Sequence, residues 1–190
     1  MLLLALPAGA AVREPRAVIE RLHGTLLEVM QDAERLGYAG RYERLEPALE
    51  RSYDFPLMAR IAAGRGWSDL SGEERARLTG LFARMSVATY AARFDGYGGE
   101  RFEIAGQVPA PREGVVVDSR IVRPDADPVG LRYVLRRFDD GWRIVDVLLD
   151  GKFSELARQR AEFSAVLRDG GFPALAASLE RKIEELAGAG

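Results

Sequence analysis

The stretch Leu131–Gly151, LRYVLRRFDDGWRIVDVLLDG, constrains the fold of this chain more than any other. Two runs rich in Val, Ile, Leu and aromatics flank Asp140-Gly141, and glycine tolerates the positive φ that a two-residue hairpin loop demands. With Asp140 and Gly141 as the loop, alternation places Tyr133, Leu135, Ile144 and Leu148 on one face. Val134, Phe138, Val145 and Val147 fall on the other. Both faces therefore need cover. Asp150-Gly151 breaks the second strand and Ser154-Glu155-Leu156 opens a helix, so the hairpin hands the chain to elements able to supply that cover.

Upstream, apolar residues recur every three or four positions. Pro15 to Leu36 carries Val18, Leu22, Leu26, Val29, Ala33 and Leu36, with Gly37 just past the end, and reads as an amphipathic helix. A shorter helix from Gly40 to Ser52 bears Tyr42, Leu45 and Leu49. Asp54 caps a third, in which Leu57, Met58 and Ile61 point inward until Gly64-Arg65-Gly66 stops it. Ser71 and Glu74 form a capping box for a fourth, whose stripe is Leu78, Leu81, Phe82, Met85 and Thr89.

After Gly98-Gly99 the period changes to two. Phe102, Ile104 and Val108 mark one strand and Val115, Val117 and Ile121 the next, and prolines 109, 111, 124 and 128 separate the pairs. Helical spacing returns over Ser154–Arg168 and Pro173–Leu186, divided by Gly170-Gly171. The expected architecture is α+β: a four-stranded antiparallel meander over 100–149, cone-like, packed with about six helices from 15–94 and 152–187. At 190 residues and 47% apolar content one core suffices, so 12–190 reads as a single domain.

Several function classes are disfavoured. The chain has 27 basic and 29 acidic residues, a net charge of −2, which removes the electrostatic case for nucleic-acid binding. It has no cysteine and one histidine, His23, on the flank of the first helix's stripe, where packing accounts for it better than catalysis. A zinc site or a Ser-His-Asp triad has almost nothing to draw on, and neither a nucleophile elbow nor a phosphate-cradling loop occurs. No cofactor is expected. Asp146 is the one carboxylate in an apolar strand run, the candidate acid or base if the protein were an enzyme, although a residue bonded to Arg or backbone is the commoner case. Met1 to Ala11, MLLLALPAGAA, is an apolar run closed by Ala8-Gly9-Ala10, the small-residue pattern that precedes signal-peptide cleavage. The expectation for 1–11 is a truncated signal-peptide remnant, with export of the mature chain.

Gly141-Trp142-Arg143-Ile144-Val145-Asp146-Val147 and Asp150-Gly151-Lys152-Phe153-Ser154 resemble the core signature of the MlaC family, the toluene-tolerance or Ttg2-type periplasmic lipid-binding proteins. The likeness extends back through Tyr53-Asp54-Phe55, Trp67 and the Ser71–Phe94 helix, and forward through Glu162-Phe163 and Gly170-Gly171-Phe172. Ser154-Glu155-Leu156-Ala157 with Glu162 to Leu167 is most similar to the hopanoid-biosynthesis-associated branch, HpnM. The resemblance implies helices and sheet enclosing a deep apolar pocket for lipid tails, with a phospholipid or hopanoid as cargo. It further implies shuttling between an inner-membrane ABC transporter complex and an outer-membrane partner, without catalysis. Under that reading Leu57, Ile61, Leu81, Met85, Tyr133, Leu135, Ile144 and Leu148 line the tail cavity, and an Arg between Gly96 and Arg101, or Lys152, meets a phosphate. The same stripes would equally serve a solid core. A small enzyme using Asp146 or Tyr133, and a non-lipid interaction module, remain the rival readings.

Overall fold

The computed structural model describes residues 14–188, so the signal-peptide expectation for 1–11 lies outside the described residues. Four helices come first: α1 Pro15–Gln31, α2 Ala33–Ser52, α3 Phe55–Ala63 and, after a 3₁₀ turn over Gly64–Asp69, α4 Gly72–Arg93. The sheet follows, β1 Arg101–Ala110, β2 Gly114–Arg123, β3 Ala126–Phe138, β4 Gly141–Leu149 and β5 Phe153–Ser154, and α5 Glu155–Gly188 closes the chain. The strands pair in sequence order as an antiparallel meander. The class is therefore α+β as expected, but among the described residues there are five strands instead of four and five α-helices instead of about six. β5 is only two residues long and carries too little alternation to be read, while the breaks at Gly37 and Gly171 bend helices that otherwise continue.

The caps act as their side chains dictate. The Asp54 carboxylate accepts from the Leu57 amide at 2.8 Å, and Ser71 and Glu74 complete both halves of the capping box. The first helix ends at Asp32, one turn earlier than its stripe suggested, because the chain turns a corner there and Ala33 begins α2. Arg41, buried on α2, donates to Ala91 O at 2.8 Å and Ala33 O at 3.3 Å. The carbonyl of Ala91 lies in the last turn of α4, where carbonyls lack helical partners and the dipole is negative, so this guanidinium ties α2 to that end of α4.

The hairpin corrects the sequence reading in two places. Phe138 pairs with Gly141, so the loop is Asp139-Asp140, and Gly141 (φ +135°) opens β4 instead of sitting in the turn. A bulge then intervenes: Leu135 pairs with Ile144 but Val134 pairs with Asp146, leaving Val145 as the extra residue. The bulge reverses the parity of everything beyond it. Tyr133 shares its face with Val147, and Leu148, opposite Arg132, lies on the other side.

Among the described residues, helices cover one face of the sheet. On the other, Glu103 pairs with Arg120 and Asp118 with Arg132, a row of partly exposed cross-strand ion pairs that keeps the face wet without adding much stability. On the covered face, α1, α2 and α3 pack against the strands, whereas α4 packs chiefly on α2, α3 and α5. The space between α4, α5 and the sheet is where the candidate site lies.

Candidate functional site

A cavity of about 860 Å³ opens between α4, the inner sheet face and both halves of α5. The sheet side is apolar: Ile121 from β2, Val129 and Leu131 from β3, Val147 and Leu149 from β4, with Tyr133 among them. Met58, Met85 and Phe163 add to the apolar floor, and methionine thioethers suit a wall that must fit irregular chains. The rim is charged, carrying Arg93, Arg158, Arg181 and Lys182 with Glu155, Glu162 and Glu185. Glu155 and Glu162 hold Arg158, and Glu185 lies 3.7 Å from Lys182. Among the described residues, Arg93 and Arg181 have no ion-pair partner.

Helix α5 forms two walls because it bends. Gly171 takes φ +65° and ψ −169°, and Pro173 follows with no amide proton to continue the ladder. The first half brings Glu155 to Phe163 to the cavity, and the second brings Ser178 to Leu186. An Arg77–Glu180 ion pair at 2.9 Å, with the Arg77 guanidinium over the Phe172 ring, holds the second half against α4.

The buried polar groups at and behind this apolar floor are uncharged. His23 Nε2 lies 3.2 Å from the Tyr133 hydroxyl, and its ring stacks on Phe102. Burial lowers the His23 pKa from 6.5 to about 4, against a smaller upward pull from Glu20. Burial also pushes Tyr53 and Tyr133 well above the usual tyrosine range, and raises Tyr90. All four are neutral at neutral pH. Because the folded His23 pKa lies below its unfolded value, the stability that the neutral ring supports is present above 6.5 and lost as pH falls toward 4. About 2 kcal/mol should go between about pH 7 and pH 4.5. Denaturant unfolding of wild type and His23→Gln across that range should show the difference between them narrowing at acid pH; parallel curves would refute the assignment.

Of the eight residues expected to line a tail cavity, Met85 and Tyr133 stand in its wall. The other six do not. Leu135 and Ile144 are fully buried elsewhere, Ile144 beneath a bridge to Tyr53 and the Asp54 amide, and Leu81 belongs to the solid helical core. Leu57 and Ile61 flank the inward face of α3, which is Phe55, Met58, Ala59, Ala62 and Ala63, and Ile61 borders a separate shallow cleft beside Trp67. Leu148 is displaced by the bulge. Neither Arg101, paired with Glu103, nor Lys152 reaches the cavity. Sequence reasoning placed Thr89 on the buried stripe of α4 but assigned neither it nor Tyr90, Arg93 or the second half of α5 to the cavity. Spacing offered one signal: Ser86, Thr89, Tyr90 and Arg93 form a polar stripe at helical intervals on α4.

Asp146 is a latch, outside the cavity wall. Its carboxylate accepts from Val147 N at 2.8 Å, Leu156 N at 3.2 Å and Ser154 Oγ at 2.6 Å, and Ser154 Oγ accepts from Ala157 N at 2.8 Å. It therefore fastens β4 to the N-terminus of α5, where a carboxylate is favoured.

An α+β domain whose helices stand off one sheet face, leaving a cavity apolar on the sheet side and charged at the rim, belongs to the ligand-enclosing class of small proteins. The particular family follows from the sequence: residues 20–181 match the family described as MlaC protein, and the chain belongs to it. A solved structure with the same fold is that of a phospholipid-binding protein from Ralstonia solanacearum in complex with a phospholipid. Identity is 21%, the TM-score is 0.80, and the match covers 92% of this chain and 99% of that one. No match was found among curated proteins.

Proposed function

We propose that this protein is a periplasmic lipid carrier, which holds the tails of a phospholipid in the cavity and moves it between an inner-membrane ABC transporter complex and the outer membrane. The observation that carries the reading is the division of the cavity into an apolar sheet wall and a charged rim. An amphiphile with two hydrocarbon chains meets both requirements at once. Each methylene buried contributes about 0.8 kcal/mol, ample to keep such a molecule from water. Arg93 and Arg181, which line the cavity and have no carboxylate partner among the described residues, suit the phosphate. Family membership and the phospholipid bound in the Ralstonia protein support the same cargo. Among the described residues no helix is long and apolar enough to cross a membrane.

The test is native mass spectrometry of protein exported to a bacterial periplasm, followed by lipid extraction. One phospholipid per chain is expected, and double substitution of Arg93 and Arg181 to Glu should lower its retention about tenfold or more. A hopanoid in its place, the cargo that the likeness to the HpnM branch suggests, would change the cargo but keep the carrier. Protein recovered without lipid, and unable to take any up from vesicles, would overturn the reading.

A further inference from the structure

The hydroxyls of Tyr53 and Tyr90 hydrogen-bond to each other, and both residues line the cavity. Two hydroxyls carry two protons, and their mutual bond uses one. Whichever tyrosine accepts keeps a proton that finds no protein acceptor among the described residues. Tyr53 is buried and the pair sits in an otherwise apolar floor, where a donor left without an acceptor is costly. Burial holds both phenols in the protonated form, so both remain donors.

The surroundings say what should bring the acceptor. Along α4 the polar residues of the cavity-facing side are Ser86, Thr89, Tyr90 and Arg93. Ser86 and Thr89 donate to Phe82 O and Met85 O, each at 2.8 Å, so on this wall their protons are spent and the tyrosine pair holds the free hydroxyl donor. Arg93 stands three residues beyond Tyr90, about 4.5 Å further along the helix. The facing sheet wall is hydrocarbon at Ile121, Val129, Leu131, Val147 and Leu149, and its one polar side-chain atom there, the Tyr133 hydroxyl, is already bonded to His23. A fitting ligand is thus polar along one edge and hydrocarbon along the other, with a neutral acceptor deep and an anion one turn above it. A glycerophospholipid carries this pattern, since a short glycerol backbone separates its acyl ester carbonyls from its phosphate.

We infer that the Tyr53–Tyr90 pair recognises an acyl ester carbonyl of the bound lipid, so that the protein selects ester-linked glycerolipids over ether-linked ones. The inference rests on the carrier reading and adds a chemical selectivity to it. Ether oxygens are weaker and less accessible acceptors, and a hydrocarbon triterpenoid has none.

Protein stripped of lipid is offered vesicles containing equal amounts of diester and diether phosphatidylglycerol with matched chains, and the retained lipids are counted by mass spectrometry. A preference of about three- to tenfold for the diester is expected, the worth of one hydrogen bond. The double variant Tyr53→Phe/Tyr90→Phe removes both partners without changing their shape, and should bring the ratio to about one. Equal retention by wild-type protein would overturn the inference without needing any variant, and so would a preference that survives the double substitution. Retention of neither lipid would instead refute the carrier reading on which it rests.

Discussion

Met85→Trp should leave the protein folded and nearly free of lipid, whereas Ile144→Trp should do the reverse. Met85 stands on α4 in the cavity wall, so an indole placed there has open volume to enter and occupies space that a tail would fill. Ile144 has 0% exposure and sits under the Tyr53 bridge, with its carbonyl accepting from the Asp54 amide at 2.9 Å. Overpacking such a site typically costs 1 to 3 kcal/mol, roughly, and more where nothing can yield. Denaturation of lipid-free protein and lipid content per chain, measured on both variants, separate the two. Lipid retained by Met85→Trp together with lost stability would mean that this wall is packed in solution.

The second large effect belongs to Asp146. Asp146→Ala should destabilise the fold by about 2 to 4 kcal/mol, because two amides and a hydroxyl lose their acceptor at a partly buried helix start. The damage should extend to the cavity, since the first half of α5 supplies Glu155, Arg158, Gln159, Glu162 and Phe163 to its wall. Asp146→Asn keeps an acceptor oxygen and should fall between. Chemical denaturation checks the order, and lipid retention should follow stability across the series. An acid or base group would behave otherwise, with its removal sparing stability and abolishing a turnover.

The two experiments share a cause. Residues that alternation places side by side can face a void or a packed interior, and the choice depends on what lies across from them. Tyr133 and Leu135 are neighbours on one strand face, yet Tyr133 borders the cavity while Leu135 is enclosed by core. On α3, Met58 reaches the wall and Leu57, adjacent to it, does not. The stripe Leu78, Leu81, Phe82, Met85 and Thr89 is likewise continuous in sequence, but only Met85 and Thr89, at one end, meet the opening. Hydrophobic burial is non-directional and cannot mark that difference.

Local chemistry was readable from the residues themselves. The Asp54 cap, the Ser71–Glu74 box, the strand alternation between 101 and 149 and the breaks at Gly37 and Gly171 each follow from short-range sterics and hydrogen bonding, which neighbours in sequence supply. The α+β class followed from their order. Tertiary structure decided the rest. A single inserted residue, Val145, moved Val147 to the cavity face and Leu148 away from it, an outcome set by pairing with β3 and by the descent of α5 onto Asp146. Likewise the distance at which α4 stands from the sheet depends on what holds its far side, including Arg41 at its last turn and Arg77 against α5. Those contacts join residues 50 and 103 positions apart. The spacing of apolar residues along one helix holds no information about how far that helix will stand from a sheet.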